Sequence, residues 1–82
     1  MKIYTLTIQS VNGNDTLDYS VIAGVFQDKE EAKKFATKQL HDQARFWEGS
    51  YTTMRKRDGY CEITLVGQDA IKRYILQEHD VQ

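Results

Sequence analysis

The dipeptide Asp58-Gly59 restricts this chain more than any other feature. It stands between SYTTMRKR and YCEITLV, two runs that alternate in polarity and favour strands. A two-residue Asp-Gly loop favours a type I′ turn and fixes the register of the strands it joins. Arg57 then opposes Tyr60, Arg55 opposes Glu62 and Met54 opposes Ile63. One face carries Thr52, Met54, Cys61, Ile63 and Leu65; the other carries Thr53, Arg55, Arg57, Tyr60, Glu62 and Thr64. A slip by one residue would turn Ile63 and Leu65 to water and Arg55 to the core. The apolar face is therefore expected against a helix. The Arg55–Glu62 cross-strand pair is expected in solvent, contributing about 0.2–1 kcal/mol.

The rest of the chain supplies partners for that hairpin. Lys2 to Ser10 alternates Tyr4, Leu6 and Ile8 with Thr5, Thr7 and Gln9, which reads as a strand. Asn12-Gly13-Asn14-Asp15 supplies a turn, and a second strand is expected from about Leu17 to Phe26. Asp28 then caps a helix, with Glu31 placed to close a capping box. Phe35, Ala36, Leu40, Ala44 and Trp47 recur at helical spacing, and Gly49 is expected to end the helix. Lys34, Lys38, His41 and Arg45 fall on the opposite face, and Glu30 and Lys34 form a favourable i,i+4 pair. The C-terminus fits two templates: a helix from Asp69 to His79, or a strand centred on Tyr74-Ile75-Leu76.

Composition narrows the functional classes. Eighty-two residues make one domain, 1–82, with room for a core but not for a deep substrate cavity. Eleven basic and twelve acidic side chains give a net charge of −1, which supplies no general attraction to nucleic acid. The 40% apolar content argues for a folded chain. A single cysteine cannot form an internal disulfide, which favours a reducing, cytoplasmic setting. No apolar run is long enough to span a membrane, and the N-terminus lacks the continuous apolar core of a signal peptide. The absence of proline leaves every turn to Gly, Asn and Asp.

No catalytic or metal-binding constellation stands out. Cys61 is expected in the core beside Ile63, without a histidine to activate it. His41 and His79 lack further ligands at metal-binding spacing. Asp28, Glu31, Asp58 and Glu62 are accounted for by caps, a turn and a cross-strand pair, leaving no carboxylate pair for acid–base work. The five glycines are scattered and form no phosphate-cradling loop. The reading is a non-enzymatic protein without cofactor or metal. The concentrated basic feature is Arg55-Lys56-Arg57, with Tyr60 beside it on the outer hairpin face. Phe46 and Trp47 at the end of the helix either close the edge of the core or protrude as interface anchors. Arg55, Lys56, Arg57, Tyr60 and Trp47 are the candidate partner-binding residues.

Three segments add a resemblance. GVFQDKEEAKKFA, YILQEHDV and KIYTLTI resemble the strand-to-helix junction, final strand and first strand of small uncharacterised α+β proteins of phages and Gram-positive bacteria. The segments span 28 of the 82 residues and carry no catalytic residues. The Asp58-Gly59 hairpin lies outside the resemblance. The resemblance implies a phage or mobile-element origin and favours a strand at the C-terminus.

The expected fold is α+β, two-layer: a mainly antiparallel sheet with one long helix on one face, in the order β-β-α-β-β-β. A final helix would give β-β-α-β-β-α. The expected function is binding to a host or phage protein, inhibition of a host defence system in the manner of an anti-CRISPR being one form. The alternatives are a nucleic-acid-binding module using the hairpin at 55–60, or a homodimer joined through an edge strand at Thr5 and Thr7 or at the C-terminus.

Overall fold

The computed structural model describes residues 1–81. The elements are β1 (Lys2–Asn12), β2 (Leu17–Phe26), α1 (Lys29–Phe46), β3 (Tyr51–Arg57), β4 (Tyr60–Val66) and β5 (Ala70–Asp80). The C-terminus is a strand, and the order is β-β-α-β-β-β. The five strands form one antiparallel sheet in the order β2-β1-β5-β4-β3. The chain therefore folds as a small α+β domain with one helix against one face of the sheet.

The register explains the core. Reading across the sheet, Met54, Ile63, Tyr74, Ile8 and Val21 lie in one row on the helix side. Lys56, Cys61, Leu76, Leu6 and Gly24 form the next row. Leu6, Ile8 and Tyr74 are buried from these rows and Leu65 from the row of Thr52 and Lys72, and Ala36 and Leu40 of α1 close over them. Phe26 and Phe35 add a tilted aromatic contact, ring centroids 5.3 Å apart, which contributes about 0.5–1.5 kcal/mol beyond its buried area.

The expected hairpin pairing is observed: Arg57 opposes Tyr60, Arg55 opposes Glu62 and Met54 opposes Ile63. The turn differs from expectation. Gly59 has φ +69°, while Asp58 stays on the ordinary negative side, which excludes type I′. Loop length preserves the register all the same. The Arg55–Glu62 ion pair does not form; Glu62 Oε1 accepts from the Tyr60 hydroxyl at 3.2 Å instead.

Asp28 caps the helix by accepting from the Glu30 amide at 2.9 Å, but no return bond from Glu31 forms among the described residues. Glu30 pairs with Lys33 at 3.6 Å rather than with Lys34. The helix ends at Phe46 with Trp47 as its cap residue, ahead of Gly49, whose positive φ falls in the following loop.

The position of α1 follows from connectivity. It leaves β2 at one edge and must deliver the chain to β3 at the other, so it crosses the sheet obliquely. It packs on β1, β2 and β5, and its C-terminal end reaches the Gly67 loop, where the Trp47 indole occupies the space beside the glycine. A Cβ at Gly67 would lie 2.8 Å from that ring. One corner of the sheet is left bare, between the first half of α1 and the β3–β4 hairpin. Met54, expected against the helix, is 64% exposed there, whereas Leu65 on the same face is 1% exposed.

The homodimer edges proposed from sequence are also corrected. Thr5 and Thr7 lie in β1, which pairs on both sides, and so does the C-terminal strand; the free edges are β2 and β3. β2 carries two register shifts, near Ala23 and near Asp18, whereas β3 pairs without interruption. Bulges twist an edge away from further pairing, so β3 is the flatter of the two.

Leu65→Ala is expected to cost about 2–5 kcal/mol, and Met54→Ala no more than about 0.5 kcal/mol. Urea denaturation of the two variants checks where the helix stops covering the hairpin face.

Candidate functional site

The bare corner forms a groove enclosing about 270 Å³. Its helical wall comes from Lys29, Lys33, Ala36 and Thr37. Their spacings of three and four place them along one flank of α1. Its floor comes from helix-side positions of the sheet, including Met54, Cys61, Ile63 and Leu76. Lys56 and Arg57 line the hairpin side. The groove thus joins an apolar floor to two cationic borders.

The acidic content of the groove is already compensated. Glu78 lines it, and its Oε2 lies 3.3 Å from Lys2 Nζ. The hydrogen bond and the negative charge of Glu78 raise the Lys2 ammonium above its usual pKa, which keeps it protonated. Among the described residues Lys33 pairs only with Glu30, in an exposed pair. Lys29, Lys56 and Arg57 make no ion pair among the described residues.

The sequence-predicted residues divide between the two faces of the hairpin. The register places Arg55, Arg57 and Tyr60 on the outer face and Lys56 on the helix side, and at the turn Arg57 and Tyr60 also reach the groove that Lys56 lines, whereas Arg55 does not. The Arg57 guanidinium sits 4.5 Å from the Tyr60 ring centroid. Burial and then the hydrogen bond to Glu62 raise the Tyr60 phenol above its usual pKa, so it remains a donor at neutral pH. Trp47 is not part of this group. It packs against Gly67, at the far end of β4 from Tyr60, roughly 20 Å away at about 3.4 Å per residue. Phe46, its neighbour, is 83% exposed and protrudes. The two aromatics thus take opposite roles.

Cys61 is half-buried in the groove rather than enclosed in the core. His79 is engaged with Thr5, Nε2 to Oγ1 at 2.9 Å, on the sheet face opposite the helix. No group of three or more His, Cys, Asp or Glu side chains is placed to hold a metal among the described residues. Among those residues no helix is long and apolar enough to cross a membrane.

Lys29, Lys33 and Met54 belong to the site although the sequence did not single them out. The i,i+4 spacing of the two lysines was visible. Which helix flank would border uncovered sheet depends on the oblique crossing of α1. Comparison with protein-family models, curated proteins and solved structures finds no match to this chain.

Tyr74 lies beneath this region, 3% exposed, and burial pushes its phenol up to about 12. An unfolded tyrosine ionises near pH 10. The folded state therefore keeps the Tyr74 proton where the unfolded state loses it, so this contribution to stability is full below about pH 10 and is lost as pH rises towards 12. Thermal melts from pH 9 to 12 are expected to show a decline that is shallower in Tyr74→Phe.

Proposed function

We propose that this chain is a non-enzymatic protein-binding domain that meets its partner through the β3–β4 half of the sheet. The supporting observation is the oblique seat of α1, which leaves that half bare at the end carrying Arg55, Lys56 and Arg57. The shape agrees. The radius of gyration is 13.0 Å, against about 12 Å for a compact chain of this length. The accessible surface is 5816 Å², roughly 800 Å² more than a 9.5 kDa monomer usually exposes. One partner contributes about that area to a standard protein interface.

A nucleic-acid module using the same hairpin is the weaker reading. Single-strand binding uses aromatic rings as stacking platforms, and the Tyr60 ring is already covered by Arg57. The exposed Tyr51 lies at the far end of β3 from the basic tip. A phage or mobile-element origin, with inhibition of a host defence system as one form of the activity, is supported by the segment resemblance alone.

Pull-down from a Gram-positive bacterial lysate is expected to retain a protein that the double variant Arg55→Glu, Arg57→Glu loses. Retention of the same proteins by the double variant would remove the hairpin from the interface. A salt titration with single- and double-stranded oligonucleotides is expected to show no binding even at low salt, where electrostatic affinity is greatest.

A further inference from the structure

We infer that the groove between α1 and the β3–β4 hairpin receives a short acidic amphipathic helix of a partner protein. The inference rests on the protein-binding reading and specifies the occupant. Its first support is geometric. Five strands at about 4.8 Å spacing make a sheet about 19 Å across, and a helix with its side chains is 10–12 Å wide. One helix cannot cover five strands, and α1 covers β1, β2 and β5. The vacant corner runs beside α1 from Lys29 to Thr37. At 1.5 Å per residue this matches a helix of about ten residues, two to three turns.

The second support is chemical. The floor is apolar through Met54, Ile63 and Leu76, so an apolar helical face has surface to bury. Lys29 and Lys33 stand on one border and Lys56 on the other, and the groove's own carboxylate, Glu78, is paired with Lys2. Carboxylates flanking the apolar face of an incoming helix would meet cations on both sides. A second copy's α1 does not fit this description. Its apolar stripe is buried on its own sheet, and its sequence carries five Lys/Arg against three Asp/Glu. Like charges would then face each other across the groove.

Cys61 provides a local probe, because it is the single cysteine and it lines the groove. The test uses the full chain with a synthetic 14-residue helical peptide carrying Leu at i, i+3, i+4 and i+7 and Glu at flanking positions. A second peptide has Lys in place of each Glu. The acidic peptide is expected to shift the amide resonances of Lys33, Met54 and Ile63. At ten times its Kd it is expected to slow alkylation of Cys61 by iodoacetamide about tenfold. The double variant Lys33→Glu, Lys56→Glu, both exposed positions, is expected to weaken the peptide by about tenfold or more. Circular dichroism of that variant should match the parent.

Three results would overturn the inference: no binding of the acidic peptide at low salt, equal binding of the basic peptide, or binding that leaves Cys61 unprotected. The last, with shifts confined to β3, would indicate strand addition at the free edge. A natural partner lost by the Arg55→Glu, Arg57→Glu variant but kept by Lys33→Glu, Lys56→Glu would refute the groove and leave the protein-binding reading intact. A partner kept by both variants would refute both.

Discussion

The β1–β5 ladder is the interaction on which the rest of the molecule depends. Hairpin β1–β2 and meander β3–β4–β5 are each built from local pairings. Their union into one sheet comes from eleven antiparallel residue pairs between Lys2–Asn12 and Ala70–Asp80. The ladder joins opposite ends of the chain: Lys2 reaches Glu78, 76 positions away. Closing so long a loop is entropically costly, and the cost is recovered only when Leu6 meets Leu76 and Ile8 meets Tyr74 beneath the helix. Sheet closure and core formation are therefore one event.

That closure also creates the groove. With β5 in the centre between β1 and β4, β2 and β3 become opposite edges, and α1 must connect them across the face of the sheet. Short links, Gln27–Asp28 at one end and Trp47–Ser50 at the other, hold the helix close to the strands it joins. Its line is therefore oblique. Trp47 over Gly67 fixes the far end, and the corner beside the Arg57–Tyr60 turn stays open. The open corner is a consequence of topology, and the cations around it give it a chemical preference.

Much of the architecture was legible in local sequence because its signals are short-ranged. Alternation and turn signals located the first four strands but left the C-terminus open between helix and strand, Asp28 located the start of the helix, and loop length around Asp58-Gly59 set the pairing of Arg55 with Glu62. Errors arose where two local solutions competed. Glu30 could reach Lys33 or Lys34, both exposed, and the structure has the i,i+3 pair. Glu62 had Arg55 across the strand and Tyr60 two residues away, and the half-buried Tyr60 hydroxyl is the group that donates to it. Within the Asp58-Gly59 turn only Gly59 takes the left-handed conformation, although Asp15 shows that an aspartate of this chain can adopt it. Phe46 and Trp47 are adjacent in sequence, but Phe46 ends the helix exposed to solvent while Trp47, the non-helical cap residue, turns onto Gly67.

The sequence by itself determined what depends on neighbours within a few residues: the first four strands, the capped helix, the hairpin register and the consecutive placement of Arg55, Lys56 and Arg57. The tertiary structure decided what depends on strand order: that β3 and not β1 is a free edge, that Trp47 is remote from the basic tip, and that Lys29 and Lys33 face Lys56 across a groove. The physical reason is the β1–β5 ladder. It is formed between segments whose patterns are compatible with several neighbours, and it is selected by burial of Leu6, Ile8 and Tyr74 together, a cooperative outcome that no local window encodes.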